Sequence, residues 1–417
     1  MSRLGPLRER EFRLLFAGQL VSRLGSAMAP VALAFAILDL TGSASDLGIV
    51  LAARQVPTIL LLLLGGVWAD RLPRHHVMVA SNLVSGASQA VAGALLLAGG
   101  ARLWHLAALA AVNGASSAFF FPASQGVVPQ TVPEPLLQHA NATLRLAVNG
   151  TNITGAALGG VLVAATDPGT AIVIDAASYV VAAACVGAMR VPPGLRMEGS
   201  TVLRELRDGW REFWARAWLW AIVIQFGVVN AAANGAVSVL GPAVAKRHLG
   251  GAAGWGVVLT AESVGFVLSG VLMLRWRPHR ILRTATYSVF GIALILVALA
   301  LPAPLPVVIA AAFATGFCIE IFGVLWDTTM QQEIPPEKLS RMSSYDALGS
   351  WVLMPIGFAA AGPIAESVGV RATFVGATLL VLAATALVLL SRDVRMLRRR
   401  TTAPGPAQPS IDSYAVT

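Results

Sequence analysis

Five charged residues lie several positions inside long apolar stretches of this sequence, and they offer the chain its clearest chemistry. A charge at the centre of a lipid bilayer costs ~2.5–3.5 kcal/mol even on the gentler insertion scale, so such residues mark functional sites or pairs. An acid without a counter-ion in an apolar cavity can load a proton from one side and release it to the other. Alternatively, each acid pairs with an arginine and only holds helices together. The five residues are Arg23, Arg54, Arg145, Glu262 and Glu320.

The elements that must position these charges are membrane helices. Hydrophobic residues make up 56% of the 417 residues and charged residues only 12%, whereas a soluble domain has ~25% charged residues. A helix needs ~20 apolar residues to cross a bilayer, and the apolar stretches here lack the alternation of barrel strands. We predict an all-α polytopic membrane protein with twelve transmembrane helices, near 14–39, 46–69, 76–98, 103–126, 138–165, 168–190, 217–245, 253–274, 281–301, 305–330, 340–365 and 371–391.

The formal net charge of +9 is explained by membrane orientation and not by a nucleic-acid partner. If both termini are cytoplasmic, most of the 30 Lys and Arg residues fall on the cytoplasmic side, as the positive-inside rule requires. Cys185 and Cys318 both lie in apolar helices, which argues against a disulfide or a metal site, and we expect no cofactor. The basic residues that fall in the outer loops are Arg102, Lys246, Arg247 and Arg371.

The sequence divides near its middle into two halves that resemble each other. Residues 47–54 align with 255–262, and residues 133–136 align with 336–339. Repeats in the same order favour two pseudo-symmetric six-helix bundles. A connector between them is predicted to contain an amphipathic helix that lies either on the inner membrane surface or on the protein's own cytoplasmic loops. The predicted units are an N-terminal bundle over 1–190, the connector over 191–216, a C-terminal bundle over 217–391 and a disordered cytoplasmic tail over 392–417.

Catalytic and ATP-binding motifs are missing from the sequence. It contains no nucleophile–base constellation, no metal-ligand spacing and no phosphate-binding glycine loop, which disfavours an enzyme and an ATP-driven pump. A duplicated bundle can instead rock about a site between its halves and expose that site alternately to either side. We therefore predict a secondary transporter that is driven by an ion gradient or by the gradient of its own substrate.

The loop over residues 66–76 resembles the loop signature of the major facilitator superfamily of transporters. Gly66, Asp70, Arg71 and Arg74 match that signature, whereas Pro73 stands where the family has Gly. The resemblance implies that these residues latch the cytoplasmic side when the cavity faces outward. Alternatively, they are ordinary loop charges on the positive inner side of the membrane.

Glycines in the fifth helix resemble the antiporter signature of the same superfamily. Gly155, Gly159 and Gly160 match it, and the Gly-Pro pair of the signature appears instead in helix 11, as Gly362-Pro363. Small residues at a spacing of four permit close contact between helix backbones. They indicate either close packing alone or a sealed seam between the halves that favours export.

By resemblance to the superfamily, helices 1, 4, 7 and 10 line the cavity, so Glu320 is our first choice as proton carrier and Glu262 the second. Asp39 and Asp175 lie nearer helix ends, where water can reach them, and we interpret them as structural. An apolar lining with scattered amides suits a large amphipathic molecule, although its aromatics can equally face lipid. The predicted lining residues are Gln19, Ser22, Asn113, Phe119, Phe120, Gln225, Asn230, Asn234, Phe317 and Trp326.

Further stretches resemble the branch of the superfamily that exports drugs and siderophores, which includes macrolide and enterobactin efflux proteins. These stretches include residues 18–25, 121–123, 175–178, 326–328 and 341–344. The resemblance implies export of an antibiotic or secondary metabolite through a bacterial inner membrane in exchange for protons, and we expect a monomer. Many drug–proton antiporters have an arginine ahead of a glycine in helix 4, and no basic residue precedes Gly114 in this way.

Two alternatives remain open from the sequence. The same fold serves an importer or a lipid flippase, for which proton coupling can be absent. A transporter-like receptor would bind the ligand without moving it.

Overall fold

The computed structural model describes residues 5–191, 210–301 and 303–397, and this part of the chain is helical, without strands. Twelve of its helices are long and apolar enough to cross a membrane, which confirms the predicted fold class. They are α1 Arg10–Thr41, α2 Ala44–Arg71, α3 Arg74–Leu97, α4 Leu103–Val127, α5 Leu137–Ala165, α6 Pro168–Gly187, α7 Ala217–His248, α8 Gly251–Met273, α9 Ile281–Ala300, α10 Leu305–Glu333, α11 in two segments, Pro336–Trp351 and Met354–Val368, and α12 Val370–Leu390.

Short elements interrupt or join these helices. A π-helical turn, Asn230–Asn234, lies inside α7, and a 3-10 turn, Val289–Gly291, lies inside α9. Further 3-10 turns span Pro6–Arg8, Val128–Gln130 and Glu134–Leu136, and a short helix, α13, spans Arg392–Met396.

Local sequence explains several helix ends. Gly42 has a φ of 70°, which a side chain would disfavour, and this lets the chain turn directly from α1 into α2. At the start of α6 the Asp167 carboxylate accepts a hydrogen bond from the Gly169 N–H at 2.7 Å, and Pro168 occupies the first turn.

The helices form two six-helix bundles, α1–α6 and α7–α12, whose interiors repeat one arrangement. In the first bundle Gly114 of α4 lies so close to the Arg54 carbonyl of α2 that a Cβ would not fit. In the second bundle Gly316 of α10 lies in the same way against the Glu262 carbonyl of α8. The alignment of 47–54 with 255–262 thus matches the packing, and Arg54 and Glu262 occupy equivalent positions with opposite charge. The boundaries of the units, and the side of the membrane on which the termini lie, stay predictions.

The described contacts between the bundles concentrate at the end that carries the α1–α2, α5–α6, α7–α8 and α11–α12 turns, which we call the seam end; the opposite end is the terminal end. Gly160 of α5 faces α8, where an added Cβ would be 2.8 Å from the Ala252 carbonyl oxygen and 2.9 Å from the Gly256 Cα. Gly362 of α11 lies against the backbone of Ser45 in α2. Gly155 and Gly159 instead pack on α1 of their own bundle, and Pro363 is exposed.

Two polar links reinforce the seam end. The Lys246 ammonium of α7 donates to the Leu38 carbonyl oxygen at 3.0 Å and pairs with Asp39 Oδ1 at 2.5 Å. The Ser45 hydroxyl of α2 donates to Glu366 Oε1 of α11 at 2.5 Å. Because each link joins the two bundles, both would have to break if the seam opened.

Only the last part of the predicted connector falls in the described residues. Phe213 is buried, and the Trp210 and Phe213 rings lie 5.9 and 6.0 Å from the Tyr345 ring of α11. Glu212 pairs with Lys338 at 2.7 Å and with Arg216 at 3.3 Å, and the Lys338 hydrogen bond holds the pKa of Glu212 below its usual range. The connector therefore packs on the start of α11. The amphipathic helix predicted within the connector lies largely outside the described residues, as does the tail beyond residue 397.

Candidate functional site

Arg23 of α1 lines a cavity of about 290 Å³ in the first bundle. Two glycines of α1 pack closely on α6. A Cβ at Gly18 would be 3.1 Å from the Cys185 Cβ, and a Cβ at Gly25 would be 2.9 Å from Asp175 Oδ1. Gln19 also lines the cavity and is 6% exposed. The remaining polar lining comes from the end of α4 and the start of α5, so the cavity lies towards the terminal end: Ser124, Gln125 and Asn141.

The Arg23 guanidinium has no hydrogen-bond or ion-pair partner among the described side chains. Its Nε is shielded from solvent and unbonded. The titratable group that interacts with it electrostatically is Tyr179, which is an uncharged phenol at neutral pH. No acid among the described residues lines the cavity.

The one fully buried carboxylate in the described part of the first bundle belongs to Asp175 of α6, at 0% exposure. It accepts hydrogen bonds from Gln89 Nε2 at 2.7 Å and from the Ser26 hydroxyl at 3.2 Å, and Arg54 attracts it electrostatically. The Tyr179 hydroxyl lies 2.9 Å from the same Ser26 oxygen. The expectation that water reaches Asp175 is therefore wrong, because its helix face packs inward on α1 and α3, whereas Asp39 is exposed as expected.

Of the four predicted latch residues, the structure describes the side-chain contacts of Arg74 alone. Arg74 Nη1 donates to the Gly126 carbonyl oxygen at 2.6 Å, which ties the start of α3 to the end of α4. The side chains of Asp70, Arg71 and Arg145 lie outside the described residues, as do the surroundings of Gly66. The latch and the role of Arg145 stay predictions.

Glu262 of α8 lines a cavity of about 220 Å³ inside the second bundle. Most of the wall is apolar and includes Phe226, Trp255 and Phe266 from α7 and α8, with α9 and α10 closing the far side. Asn230 and Asn234 enter the wall from the π-helical turn of α7. Such turns frequently occur at functional sites because they re-aim side chains that a regular helix would turn away.

The Glu262 carboxylate has no hydrogen bond or ion pair to any side chain that the structure describes. The two asparagines are engaged elsewhere: Asn234 Nδ2 donates to Asn230 Oδ1, and Asn230 Nδ2 donates to the Ser350 carbonyl oxygen, both at 3.0 Å. The cavity thus combines an acid without a described counter-ion, apolar walls and a small volume. An acid in such surroundings is most stable in its neutral, protonated form and changes protonation when its surroundings change.

Glu320 of α10 lies beside α8, where a Cβ at Gly270 would be 3.8 Å from its Oε1. It does not line the Glu262 cavity. Further along α10, Trp326 is 6% exposed, and its indole N–H donates to Asp346 Oδ2 of α11 at 2.9 Å. These contacts place Trp326 in the packed interior of the second bundle.

The structure brings together only some of the predicted lining residues. Gln19 joins Arg23, and Asn230 and Asn234 join Glu262. Ser22 donates to the carbonyl oxygen of Gln19 within its own helix, and Gln225 donates to Thr385 of α12 at 3.0 Å, away from both cavities. The rest lie among packed helices: Asn113 interacts with Tyr179, Phe119 and Phe120 pack on the first bundle's core, and Phe317 packs on the second's.

The sequence analysis missed several polar groups that the structure places at these sites. Gln125 and Asn141 line the Arg23 cavity, and Gln89 binds Asp175. The partial burial of Asp346 was not predicted, because this residue follows a run of polar residues at the start of its helix. Isolated amides inside apolar spans are the signal that would have found Gln89, since such groups need partners in lipid.

The chain matches the family model described as Major Facilitator Superfamily over residues 15–346. It is 27% identical over 391 residues to the multidrug efflux pump Tap of Mycolicibacterium fortuitum, covering 90% of this chain and 93% of the pump. It is 22% identical over 397 residues to macrolide efflux protein A of Streptococcus pyogenes, covering 93% of this chain and 97% of that protein. These similarities confirm the resemblance to the drug-efflux branch.

Solved structures with the same fold include membrane transporters of different kinds. The nucleoside transporter NupG superposes with a TM-score of 0.71 at 10% identity, covering 90% of this chain and 98% of that chain. A bacterial homologue of the human lysosomal transporter Spinster, in an inward-facing and unoccupied conformation, gives 0.67 at 16% identity, covering 94% and 99%. At these identities the likeness concerns the fold alone.

The family match covers most of the chain, and twelve membrane-spanning helices carry it. Together with the bacterial efflux relatives, they make it a multi-pass protein of the bacterial plasma membrane. The chain belongs to the Major Facilitator Superfamily.

Proposed function

We propose that this protein exports amphipathic small molecules across the bacterial plasma membrane by alternating access, in exchange for protons. The observation that carries the proposal is the Glu262 carboxylate, which lines a mostly apolar cavity without a counter-ion among the described residues. A membrane-buried acid of this kind is suited to carry a proton between two exposures of the cavity. The names of the two efflux relatives support the same direction of transport.

The arrangement of the bundles supports transport by alternating access. If the termini face the cytoplasm, as the distribution of basic residues favours, the seam lies on the outer side. The Arg23 cavity then lies towards the cytoplasm, where a substrate for export is loaded. Transport would require the seam to open and the terminal end to close, by rocking of one bundle against the other.

The geometry favours Glu262 over Glu320 as the proton carrier, which reverses the order expected from the sequence. Glu262 lines the cavity inside the second bundle, whereas Glu320 lies beside α8 and does not line that cavity. Neutralising Glu262 as Gln would keep its size and remove its capacity to carry a proton.

The test uses inverted membrane vesicles with an imposed proton gradient, acidic inside, and a fluorescent amphipathic drug. We expect wild type to accumulate the drug and Glu262→Gln to lose gradient-driven accumulation, while binding of the drug persists. Asp393→Asn, at an exposed position beyond the last membrane helix, is the matched control and should behave as wild type.

Other outcomes would indicate a different proton carrier or a different function. Loss in Glu320→Gln with normal accumulation in Glu262→Gln would move the carrier to Glu320. Accumulation only in right-side-out vesicles would favour an importer, and movement of a fluorescent lipid in place of the drug would favour a flippase. Binding without movement in either orientation would indicate a receptor.

A further inference from the structure

Within the described part of the chain, no acid balances the charge of the half-buried Arg23 guanidinium in its cavity. An acid left unpaired in an apolar environment can take up a proton and become neutral, but an arginine side chain stays charged under all physiological conditions. An unpaired charge away from water is strongly unfavourable. Arg23 Nε is shielded from solvent and unbonded, and no acid that the structure describes lines the surrounding cavity.

The other polar groups of the cavity are suited to the same kind of ligand. Gln19, Gln125 and Asn141 carry amide N–H groups, and Ser124 carries a hydroxyl. Together with the guanidinium they can donate several hydrogen bonds to the oxygens of one anionic group. A guanidinium also matches a carboxylate or a phosphate with two parallel hydrogen bonds.

The rest of the wall is apolar. Val128, Leu144 and Val148 complete the lining of the cavity, which has a volume of about 290 Å³. This volume fits a charged group and the first part of an apolar chain, but not a whole drug-sized molecule, since pockets for those reach ~300–1,000 Å³. The remainder of the ligand would extend towards the space between the bundles.

We propose that the Arg23 cavity binds the oxyanion group, a carboxylate or a phosphate, of an otherwise apolar transported molecule. The inference rests on the proposed function, because it names the substrate class of that transporter as amphipathic acids. It differs from the role of Glu262, which lies in the other bundle and carries the proton.

Binding to purified protein in lipid nanodiscs tests this site without any need for transport. The probes are a dansyl-labelled long-chain carboxylic acid and its methyl ester, in which a methyl group removes the charge. We expect wild type to bind the acid about tenfold more tightly than the ester, or better, as a desolvated charge-assisted contact allows. Arg23→Gln should bind both probes equally, and Arg23→Lys should retain part of the preference. Competition by dodecyl phosphate would identify phosphate as an accepted group as well, and its failure would restrict the site to carboxylates.

A control variant and a second readout separate binding from folding. Arg13→Gln removes an exposed arginine from the same helix and should leave the preference unchanged. In the absence of ligand, Arg23→Gln should unfold thermally at the wild-type temperature or above it, because it removes an unpaired charge. A clear drop in unfolding temperature would mean that Arg23 has a structural partner, and it would overturn the proposal.

The outcomes also distinguish this inference from the proposed function. Equal binding of acid and ester by wild type, or no binding of either, would overturn the anion site while leaving drug export in vesicles intact. A preference for the acid that Arg23→Gln abolishes would support the site, even if vesicles showed no gradient-driven transport.

Discussion

The two bundles share one arrangement of helices but carry opposite charges at one equivalent position. At equivalent positions the first bundle carries Arg54 and the second carries Glu262. In the first bundle Asp175 is fully buried and hydrogen-bonded, and Arg54 attracts it electrostatically. In the second, the Glu262 carboxylate meets no partner among the described side chains. A duplicated fold has thus kept its backbone contacts while one copy acquired an internally balanced acid and the other an unbalanced one.

Of these two acids, Asp175 has the contacts of a structural residue and Glu262 does not. A charged group whose hydrogen bonds are satisfied within one bundle stabilises that bundle. An acid that lacks partners contributes no such stabilisation and is available to a proton.

Removing the two acids should have opposite consequences for stability. Asp175→Ala leaves Gln89 without its acceptor and Arg54 without its nearby anion, so we expect a loss of about 3 kcal/mol or more in the free energy of unfolding. Glu262→Gln should change it by less than about 0.5 kcal/mol, because no partner is lost. Unfolding in detergent measures both. Equal losses in the free energy of unfolding would show that the two acids do not differ in this way. Partial recovery of stability in the double variant Asp175→Ala with Arg54→Met would show that the unpaired Arg54 causes part of the loss.

The contrast has functional meaning only if the bundles move as units against each other. Gly160→Ala should push the seam apart, since the new Cβ meets the Ala252 carbonyl oxygen and the Gly256 backbone, and overpacking of this kind costs about 1–3 kcal/mol. Gly150→Ala in the same helix is the matched control, because a Cβ there meets no described atom within 4 Å.

A spin-label distance between Thr41→Cys and Arg247→Cys measures this opening in a background that lacks Cys185 and Cys318. We expect a longer distance in Gly160→Ala and the wild-type distance in Gly150→Ala. If both variants kept the wild-type distance, the seam would not depend on close approach of the two helices.

The ion pair across the seam should contribute less than the glycines do. Asp39 and Lys246 are 54% and 42% exposed, and pairs at this exposure are worth ~0–1 kcal/mol. Lys246→Gln should therefore lengthen the same spin-label distance only slightly, and only at low salt. Exchange of the two charges, Asp39→Lys with Lys246→Asp, should restore the wild-type spin-label distance. An effect as large as that of Gly160→Ala would show that charge, and not backbone contact, closes the seam.

We expect the smallest effect from protonation of Glu212 in the connector, the covalent link between the two bundles. The Lys338 hydrogen bond lowers the pKa of Glu212, so the contact stabilises the docked connector above the pKa that Glu212 has when undocked. Its contribution is lost as the pH falls through the lowered pKa of the docked form. The fluorescence of Trp210 and Trp214 should report this change below neutral pH, and Glu212→Gln should make it independent of pH. A change that persists in Glu212→Gln would have another origin.

The sequence was sufficient for the architecture because its signals are local. Apolar length, loop charge and the repeat of 47–54 at 255–262 predicted the twelve helices and the equivalence of Arg54 with Glu262. Each of these signals can be read within one span or one loop. The family resemblance followed from short motifs of the same kind.

The interior of the site was predicted less well. Distance from a helix end suggested that water reaches Asp175, but burial depends on which helices cover that face. Gln225 was assigned to the cavity, yet its helix face turns to α12. A helix that is apolar all round gives no periodicity from which its inward face can be identified, so these assignments required the packing of all twelve helices.

The contact between Gly160 and Gly256 has a consequence for the speed of the transport cycle. Where two backbones meet without side chains, no rotamers are frozen when the surfaces join and none are released when they part, so conformational entropy hardly changes. The transition between the two exposures can then proceed without repacking at this point. At the Gly160–Gly256 contact, the entropy of side chains therefore adds little to the barrier between the two exposures.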